Sequence, residues 1–183
     1  YIARMDGDDI SGKDRLERQA AFLKEHQEYD FVGCNAELFS GNCIWGERRM
    51  EEIPQKKSFL STSPFIHPSV MIRREVLERA GGYCESSSVL RSEDYELFMR
   101  LYAAGCRGYN LQENLLRYRE SMQAYSRRKY RYRVKECFVR WQGFWRLGIL
   151  YGNLRYVVKP LAVGLIPDKA MQRIRLKRYG GRS

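Results

Sequence analysis

The first forty residues alternate between strand-like and helix-like patterns of apolar side chains. Residues 1–5 are typical of a strand, and residues 30–39 are rich in apolar and β-forming side chains over the length of a strand. Between them, Ser11 has the spacing of a capping box and predicts a helix that runs to about His26. Apolar residues follow it at helical intervals, namely Leu16, Ala20 and Leu23. The Gly- and charge-rich stretch 40–57 predicts a mobile loop.

The middle of the chain predicts a further strand and two helices. Residues 68–72 are strand-like and lead into a short helix that Gly81 and Gly82 end, because glycine accepts the left-handed conformation after a helix. Ser92 can cap the second helix, and Gly105 is its stop signal. The apolar face of that helix is predicted to contain Leu97, Phe98, Leu101 and Ala104.

Residues 121–183 differ from the rest in charge. They contain sixteen Lys or Arg against two acidic residues, a net charge of +14, whereas residues 1–120 carry −3. Their aromatic and basic side chains predict helices, with breaks before Pro160 and Pro167. A near-neutral body (1–120) with a basic helical extension (121–183) suggests contact with an anionic surface, either a membrane or a nucleic acid. Charge alone does not choose between the two.

Composition narrows the cellular setting. A chain of 183 residues is long enough for one domain with a proper core, and its start at Tyr1 predicts a piece of a longer protein. The five cysteines are odd in number and widely spaced, so they indicate neither a disulfide framework nor a zinc site, and a reducing cytoplasm fits best. No signal peptide is visible, and no run of about 18 apolar residues could span a bilayer.

The sequence Asp6-Gly7-Asp8-Asp9, here called the acidic turn, is the first candidate for chemistry. Three carboxylates in four residues repel one another unless a cation or water neutralises them, and such oxygen ligands suit Mg²⁺, Mn²⁺ or Ca²⁺. A calcium loop counted from Asp6 would place Ile10 at a ligand position and Ser11 where glycine is required. The position after a strand favours a metal that bridges carboxylates to a diphosphate. A solvated acidic turn is the plain alternative.

A second candidate is the pair Glu93 and Asp94 in the first turn of the helix that Ser92 caps. The positive end of the helix favours their ionised form. Acidic residues also occur in first turns simply because they stabilise helices, so position alone leaves both interpretations open.

Five short segments, in this order and spacing, resemble the family 2 glycosyltransferases of the GT-A fold. They are residues 3–10, 15–19, 67–71, 81–83 and 92–97. The resemblance covers residues 1–120 and implies an α/β, Rossmann-like fold that is incomplete at its N-terminus and carries a helical C-terminal extension. Because the N-terminal half of the family fold is not in this sequence, we do not expect the chain to be active alone.

The same resemblance implies a role for each matching residue. Asp6 would contact the sugar nucleotide, Asp8 would bind Mn²⁺ or Mg²⁺ with support from Asp9, and Asp94 would be the general base. Three further substrate-binding positions would be Glu93 on the acceptor side, His67 near the diphosphate, and Arg15 with Gln19. For His67 a purely structural hydrogen-bonding role is the alternative, and for Arg15 and Gln19 the helix surface.

These roles imply an inverting transfer from a nucleotide-diphosphate sugar, a UDP-sugar first of all, to a glycan or lipid-linked acceptor in cell-surface polysaccharide synthesis. The basic extension would lie at the cytoplasmic face of the membrane as a peripheral contact, with its aromatic residues either in the lipid interface or packed on the domain. No nucleic acid is expected as a partner, since no nucleic-acid-binding fold accompanies the basic residues. The rival hypothesis is a non-catalytic basic module that binds anionic lipid or nucleic acid.

Overall fold

The computed structural model describes residues 1–120 and 130–180, and within them the chain forms a mixed α/β structure. Its strands are β1 (Ile2–Ala3), β2 (Ile10–Ser11), β3 (Phe31–Ser40), β4 (Cys43–Arg48), β5 (Met71–Ile72) and β6 (Gly108–Arg119). Its helices are α1 (Arg15–Glu25), α2 (Arg74–Arg79), α3 (Glu93–Ala103), α4 (Tyr130–Arg146), α5 (Leu154–Gly164) and α6 (Asp168–Tyr179). Short 3₁₀ turns occupy Lys56–Leu60, His67–Ser69 and Ser87–Val89.

The strands form one sheet in the order β1-β5-β3-β6-β2, with β4 paired to β3 outside this path. The long strands β3 and β6 are parallel, with Phe31 opposite Gly108, and the other pairs are antiparallel. β1 and β2 therefore lie at opposite edges of the sheet. The acidic turn is the segment that connects these two edge strands.

Helices cover both faces of β3, because successive side chains of a strand point to opposite faces. Phe31 points to one face, where its ring stacks on Phe98 of α3 at 5.5 Å between centroids. Val32 points to the other, where it packs with Leu23 of α1 and Met71 of β5. Burial on both faces explains why residues 30–39 are almost continuously apolar, and the strand predicted there is confirmed.

The helices that follow residue 130 share the main core with α3. Val139 and Phe144 of α4 and Val157 of α5 are buried in the same cluster as Phe98 and Leu101. Within residues 1–120 and 130–180, none of the helices combines the length and apolarity that crossing a bilayer requires.

The start of α1 differs from the prediction. Ser11 does not cap this helix, because it lies in β2, opposite Leu116 of β6. The helix begins four residues later at Arg15, with Asp14 as its N-cap residue. Pairing with a strand more than one hundred residues away thus overrides a local capping signal. The predicted end near His26 is confirmed, since His26 is the C-cap residue.

The mobile loop predicted for residues 40–57 is wrong. β3 turns at Gly41, which has a φ of 60°, and returns as β4 in a hairpin. The hairpin is further held by Trp45, whose indole N–H donates to the carbonyl of Glu120 at 3.2 Å. A tight turn at Gly41-Asn42 between two strands was the available signal.

The two predicted proline breaks have different outcomes. Pro167 is the N-cap residue of α6, which confirms a break there, whereas Pro160 lies inside α5. Proline at position 160 leaves the carbonyl of Tyr156 without its helical donor. Arg140 of α4 donates to that carbonyl at 3.3 Å, so a side chain from the neighbouring helix replaces the lost hydrogen bond.

The remaining predicted elements are mostly confirmed. Gly81 and Gly82 follow α2 with φ of 73° and 69°, as a helix end requires. α3 has Ser92 as its N-cap residue and buries Leu97, Phe98 and Leu101, but Ala104 is exposed at its end. Only Met71–Ile72 of the strand predicted for 68–72 is extended, because the residues before it form the 3₁₀ turn.

We predict that Gly108→Ala destabilises the fold by about 1–3 kcal/mol, because overpacking a rigid core has that cost. A Cβ at this position would lie 2.5 Å from ring carbons of both Phe31 and Phe65. The matched control is Gly7→Ala, where a Cβ would meet no atom within 4 Å. Urea unfolding of both variants measures the difference, and equal midpoints would contradict this account of the core.

Candidate active site

The acidic turn is a closed and anchored loop. The N–H of Asp9 donates to the carbonyl of Asp6 at 3.2 Å, which closes the turn around Gly7. Arg119, at the end of β6, fixes it from outside: its N–H donates to Oδ1 of Asp9 at 2.7 Å, and its Nε donates to the carbonyl of Asp8 at 2.8 Å. The carboxylate of Asp8 is left exposed, and Asp6 is half-buried and pairs with Arg4 at 2.5 Å.

Asp9 has the most perturbed carboxylate of the turn. Burial raises its pKa to about 6, and the charges of Asp8 and Asp6 add to the effect. Its Oδ2 atom is buried and accepts no hydrogen bond from the part of the chain that the structure describes. A carboxylate in this condition is stabilised by a nearby cation.

His67 interacts with both Tyr83 and Asp94. Nε2 of His67 and the hydroxyl of Tyr83 are hydrogen-bonded at 2.7 Å, and the His67 ring lies edge-on to Phe98 at 6.2 Å. Burial lowers the pKa of His67, while the negative charge of Asp94 opposes that shift. The charges of Arg4, Asp6 and Glu93 also act on this imidazole, so the acidic turn and the start of α3 lie within electrostatic reach of each other.

The start of α3 is a tightly constrained turn. Arg91 has a φ of 69°, a left-handed conformation that is unfavourable for a residue with a Cβ. Glu93 stabilises it, since its Oε1 accepts the N–H of Arg91 at 2.8 Å. Asp94 is the second residue of the helix and is half-buried. Strain of this kind concentrates at functional sites, and here it sets the direction in which α3 begins.

Arg15 and Gln19 are both inside the protein, with exposures of 1% and 0%, so the helix-surface alternative for them is wrong. Arg15 donates to the carbonyl of Pro68 at 2.8 Å and to that of Arg4 at 2.9 Å. Gln19 donates to the carbonyl of Ser69 at 2.7 Å. Both side chains therefore hold backbone next to the acidic turn and His67.

A charged chain of contacts positions the Tyr83 loop. Arg100 of α3 donates to the carbonyl of Gly82 at 2.8 Å and pairs with Glu96 at 3.1 Å. Arg146 of α4 pairs with the same Glu96, also at 3.1 Å. The position of Tyr83 is thus coupled to α3 and α4.

The donor set of the acidic turn fits a cation that is shared with a phosphate. Within residues 1–120 and 130–180, no three His, Cys, Asp or Glu side chains are arranged to hold a metal ion. Mg²⁺ and Mn²⁺ in nucleotide sites need only one or two carboxylates, because phosphate oxygens and water complete the shell. Asp6 and Asp8 supply that number beside open space at Gly7. An EF-hand-like loop does not exist here, since Ile10 and Ser11 are paired with β6.

Two residues that belong to this cluster were not among the predicted site residues, namely Arg4 and Tyr83. Both lie inside segments that carry the family resemblance, residues 3–10 and 81–83. Their place in the sequence was therefore a usable signal, although it did not reveal which of their neighbours they contact.

Comparison with known proteins places the chain in a family. The family model described as "Glycosyl transferase family group 2" matches residues 1–168, so the match continues past residue 120 through α5. EpsE of Bacillus subtilis, whose name assigns it to the glycosyltransferases, is 35% identical over 97% of this chain and 64% of its own length. An Escherichia coli relative is named UDP-Gal:alpha-D-GlcNAc-diphosphoundecaprenol beta-1,3-galactosyltransferase, and is 30% identical over 69% of this chain and 46% of its own.

A solved structure agrees on the fold. TarS of S. aureus, determined in complex with UDP-GlcNAc, superposes with a TM-score of 0.54 at 18% identity, covering 89% of this chain and 47% of that one. This likeness confirms the GT-A type of α/β fold that the sequence resemblance implied. The chain spans between about half and two thirds of the length of these relatives. By the match over residues 1–168, the chain belongs to the glycosyltransferases of family group 2.

Proposed function

We propose that this chain provides the cation-binding and acceptor-side part of an inverting glycosyltransferase that uses a nucleotide-diphosphate sugar. The observation that carries the proposal is that Arg15 holds the carbonyl of Arg4, before the acidic turn, next to that of Pro68, after His67, while the charges of Asp6 and Asp94 both act on His67. Asp94 suits deprotonation of an acceptor and the acidic turn suits a leaving diphosphate.

Asp94 is the proposed general base. In the transfer, the acceptor hydroxyl oxygen forms a bond to the anomeric carbon, the bond from that carbon to the diphosphate breaks, and Asp94 takes the hydroxyl proton. Its place in the first turn of α3 puts the carboxylate at the positive end of the helix dipole. Glu93 supports it by fixing the turn at Arg91, which leaves one Glu93 oxygen for the acceptor.

Asp6 and Asp8 are the proposed contacts for the donor. Asp8 would hold Mn²⁺ or Mg²⁺, with Asp9 as the buried support of the turn and Asp6 directed at the sugar nucleotide. The bound cation would supply neutralisation of the charge that grows on the departing diphosphate. The His67–Tyr83 pair offers a hydrogen-bond donor on the same side, and Arg15 and Gln19 would act by positioning the backbone on which these residues stand.

The names of relatives suggest the substrates. One structure was determined with UDP-GlcNAc, and the Escherichia coli relative is named for a UDP-galactose donor and an undecaprenol diphosphate acceptor. We therefore propose a UDP-sugar as donor and a glycan or lipid-linked acceptor, in the synthesis of a surface polysaccharide.

We further propose a peripheral contact with the membrane through α4 and α5. The outward face of α4 is a row of apolar residues at helical spacing, Val134, Phe138, Trp141 and Trp145, with exposures of 53%, 49%, 51% and 67%. Its inward face holds the charged residues Arg133, Glu136 and Arg140, which are buried. This polarity is the reverse of that of an ordinary surface helix. Trp side chains beside exposed basic residues such as Arg131 and Arg146 suit the interface of an anionic bilayer.

Asp94→Asn is expected to lower kcat about 10²- to 10⁴-fold in the intact protein, because the acceptor proton loses its base. Binding of UDP with Mn²⁺ should be unchanged. The control is Glu93→Gln, which keeps an oxygen for the Arg91 N–H and should cost less than about tenfold. Steady-state transfer and UDP titration separate the two, and unaltered transfer by Asp94→Asn would favour the non-catalytic basic module instead.

UDP and Mn²⁺ together are expected to raise the melting temperature of the chain, with each alone having less effect, because a ligand that binds only the folded state stabilises it. Asp8→Asn should abolish this joint shift. Asp14→Asn is the control, since it removes the same charge from an exposed carboxylate outside the acidic turn. A joint shift that survives in Asp8→Asn would rule out this residue as the cation ligand.

Trp141→Ser with Trp145→Ser is expected to weaken binding to vesicles of 30% phosphatidylglycerol in phosphatidylcholine by about tenfold or more, because two interfacial side chains are removed. The control is Ile44→Ser with Ile53→Ser, two apolar residues that are exposed elsewhere, at 51% and 42%. Co-sedimentation measures both, and equal binding by the two double variants would contradict an orientation with α4 on the lipid.

A further inference from the structure

A cavity of about 460 Å³ lies between β4, α4, α5 and α6, and its lining does not include His67, Tyr83 or Asp94. Its charged lining is mainly cationic and consists of Arg48, Arg133, Arg140, Lys159, Arg175 and Arg178, with two carboxylates, Glu120 and Glu136. Its apolar lining comes from α5, α6 and the segment between them, namely Pro160, Val163, Ile166, Met171 and Ile174. The cavity therefore has a basic part and an apolar part, and α5, α6 and the segment between them form the apolar part.

The cations of this cavity outnumber its carboxylates by six to two. Glu120 pairs with Arg175, and Glu136 pairs with both Arg140 at 3.1 Å and Arg133 at 3.8 Å. The surplus is a set of like charges that repel one another in a partly buried space, and an anion would relieve that repulsion. Burial and the neighbouring Arg140 and Arg178 lower the pKa of Lys159, as such crowding requires.

The guanidinium groups of Arg48 and Arg178 can still bind an anion. Neither forms an ion pair with any residue in the ranges 1–120 and 130–180. Arg178 lies over the ring of Tyr179 at 5.3 Å, which leaves its edge for an anion. A planar guanidinium group can donate two parallel hydrogen bonds to a phosphate. Two such groups in one cavity therefore fit a phosphate or a diphosphate.

We propose that this cavity binds the phosphate or diphosphate end of a lipid, with the apolar chain lying along α5 and α6. The chain could leave the cavity toward Leu165, which follows α5 and is 74% exposed. This site deepens the proposed function and rests on it in one respect, since it assigns the lipid phosphate to the acceptor. The ligand chemistry itself follows from the cavity lining alone.

The cavity also adjoins the elements of the transfer site. Tyr118, which lines the cavity, has a pKa raised to about 12. Burial is the main cause of this rise, and the negative charges of Asp9 and Asp6 add to it. On the other side, Arg140 lies 5.1 Å from the ring centre of Tyr95, the neighbour of Asp94. A phosphate held here would therefore lie between the acidic turn and the helix of the general base.

The test uses the 183-residue chain and three probes: farnesyl diphosphate, inorganic pyrophosphate and farnesol, each measured by calorimetric titration. We expect farnesyl diphosphate to bind at least about tenfold more tightly than pyrophosphate, because it uses both halves of the cavity. Arg48→Gln with Arg178→Gln should weaken the binding of farnesyl diphosphate by about tenfold or more. The control, Arg131→Gln with Arg155→Gln, removes the same charge from exposed positions that do not line the cavity and should change little.

Two further variants sharpen the outcome. Ile174→Ser, on the apolar side, should weaken binding of farnesyl diphosphate and leave binding of pyrophosphate unchanged. Asp94→Asn should leave the binding of both unchanged, although it is expected to slow transfer in the intact protein. Equal losses in the two arginine pairs would overturn the site, as diffuse electrostatic attraction gives that result. Pyrophosphate binding as tight as that of farnesyl diphosphate would overturn the lipid assignment in favour of a free anion. Melting curves for each variant verify that the chain is folded.

Discussion

The guanidinium group of Arg15 joins the two segments that carry the site. It is almost completely buried and reaches from α1 to the carbonyl of Arg4, beside the acidic turn, and to that of Pro68, beside His67. These carbonyls are 64 residues apart in sequence, and hydrogen bonds to one rigid, planar group keep them in register. Gln19, one turn later on the same helix, holds the adjacent carbonyl of Ser69.

Burying this charge is unfavourable by itself, as the lowered pKa of Arg15 shows, with burial as its main cause. A buried cation next to an acidic turn is compensated by the carbonyl oxygens and by the charge of Asp9. The arrangement therefore depends on both partners. The acidic turn helps to make a buried arginine tolerable, and the arginine fixes where the turn begins.

A second set of ion pairs connects α3 with α4. Glu96 joins Arg100 of α3 to Arg146 of α4, and Glu136 pairs with Arg140 within α4. Through Arg140 the same helix also satisfies backbone carbonyls at Leu60 and Tyr156. Because Glu136 and Arg140 face the interior of the protein, the aromatic side of α4 faces outward.

Local sequence predicted those parts of the fold that local physics decides. The ends of α2 and α3 followed from glycines that adopt positive φ, and β3 followed from an apolar run that two layers of helices cover. The error at Ser11 lies where distant pairing decides, since Ser11 joins β6. The error at residues 40–57 has a local cause, because a hairpin turn at Gly41 returns the chain as β4 along β3. β6 itself was not predicted. Its central stretch, Gln112 to Asn114, is exposed and polar, which masks its strand pattern.

The candidate site shows the same division. Asp6, Asp8 and Asp94 could be selected because their spacing repeats a family pattern, and the charges of Asp6 and Asp94 both act on His67. Arg15 and Gln19 could be selected in the same way, but not their burial, because a polar residue on an amphipathic helix looks like a surface residue until its distant carbonyl partners are known.

The ion pair between Glu96 and Arg146 has a geometric consequence. It joins α4 to the helix that begins with Glu93 and Asp94, and the two helices also pack in one core, so the position of α4 and that of Asp94 are linked. If the tryptophans of α4 rest on a membrane, as proposed above, this link would set the height of the Asp94 carboxylate above the membrane surface. The enzyme would then select acceptors by length, because only a hydroxyl group at one distance from the membrane surface would reach Asp94.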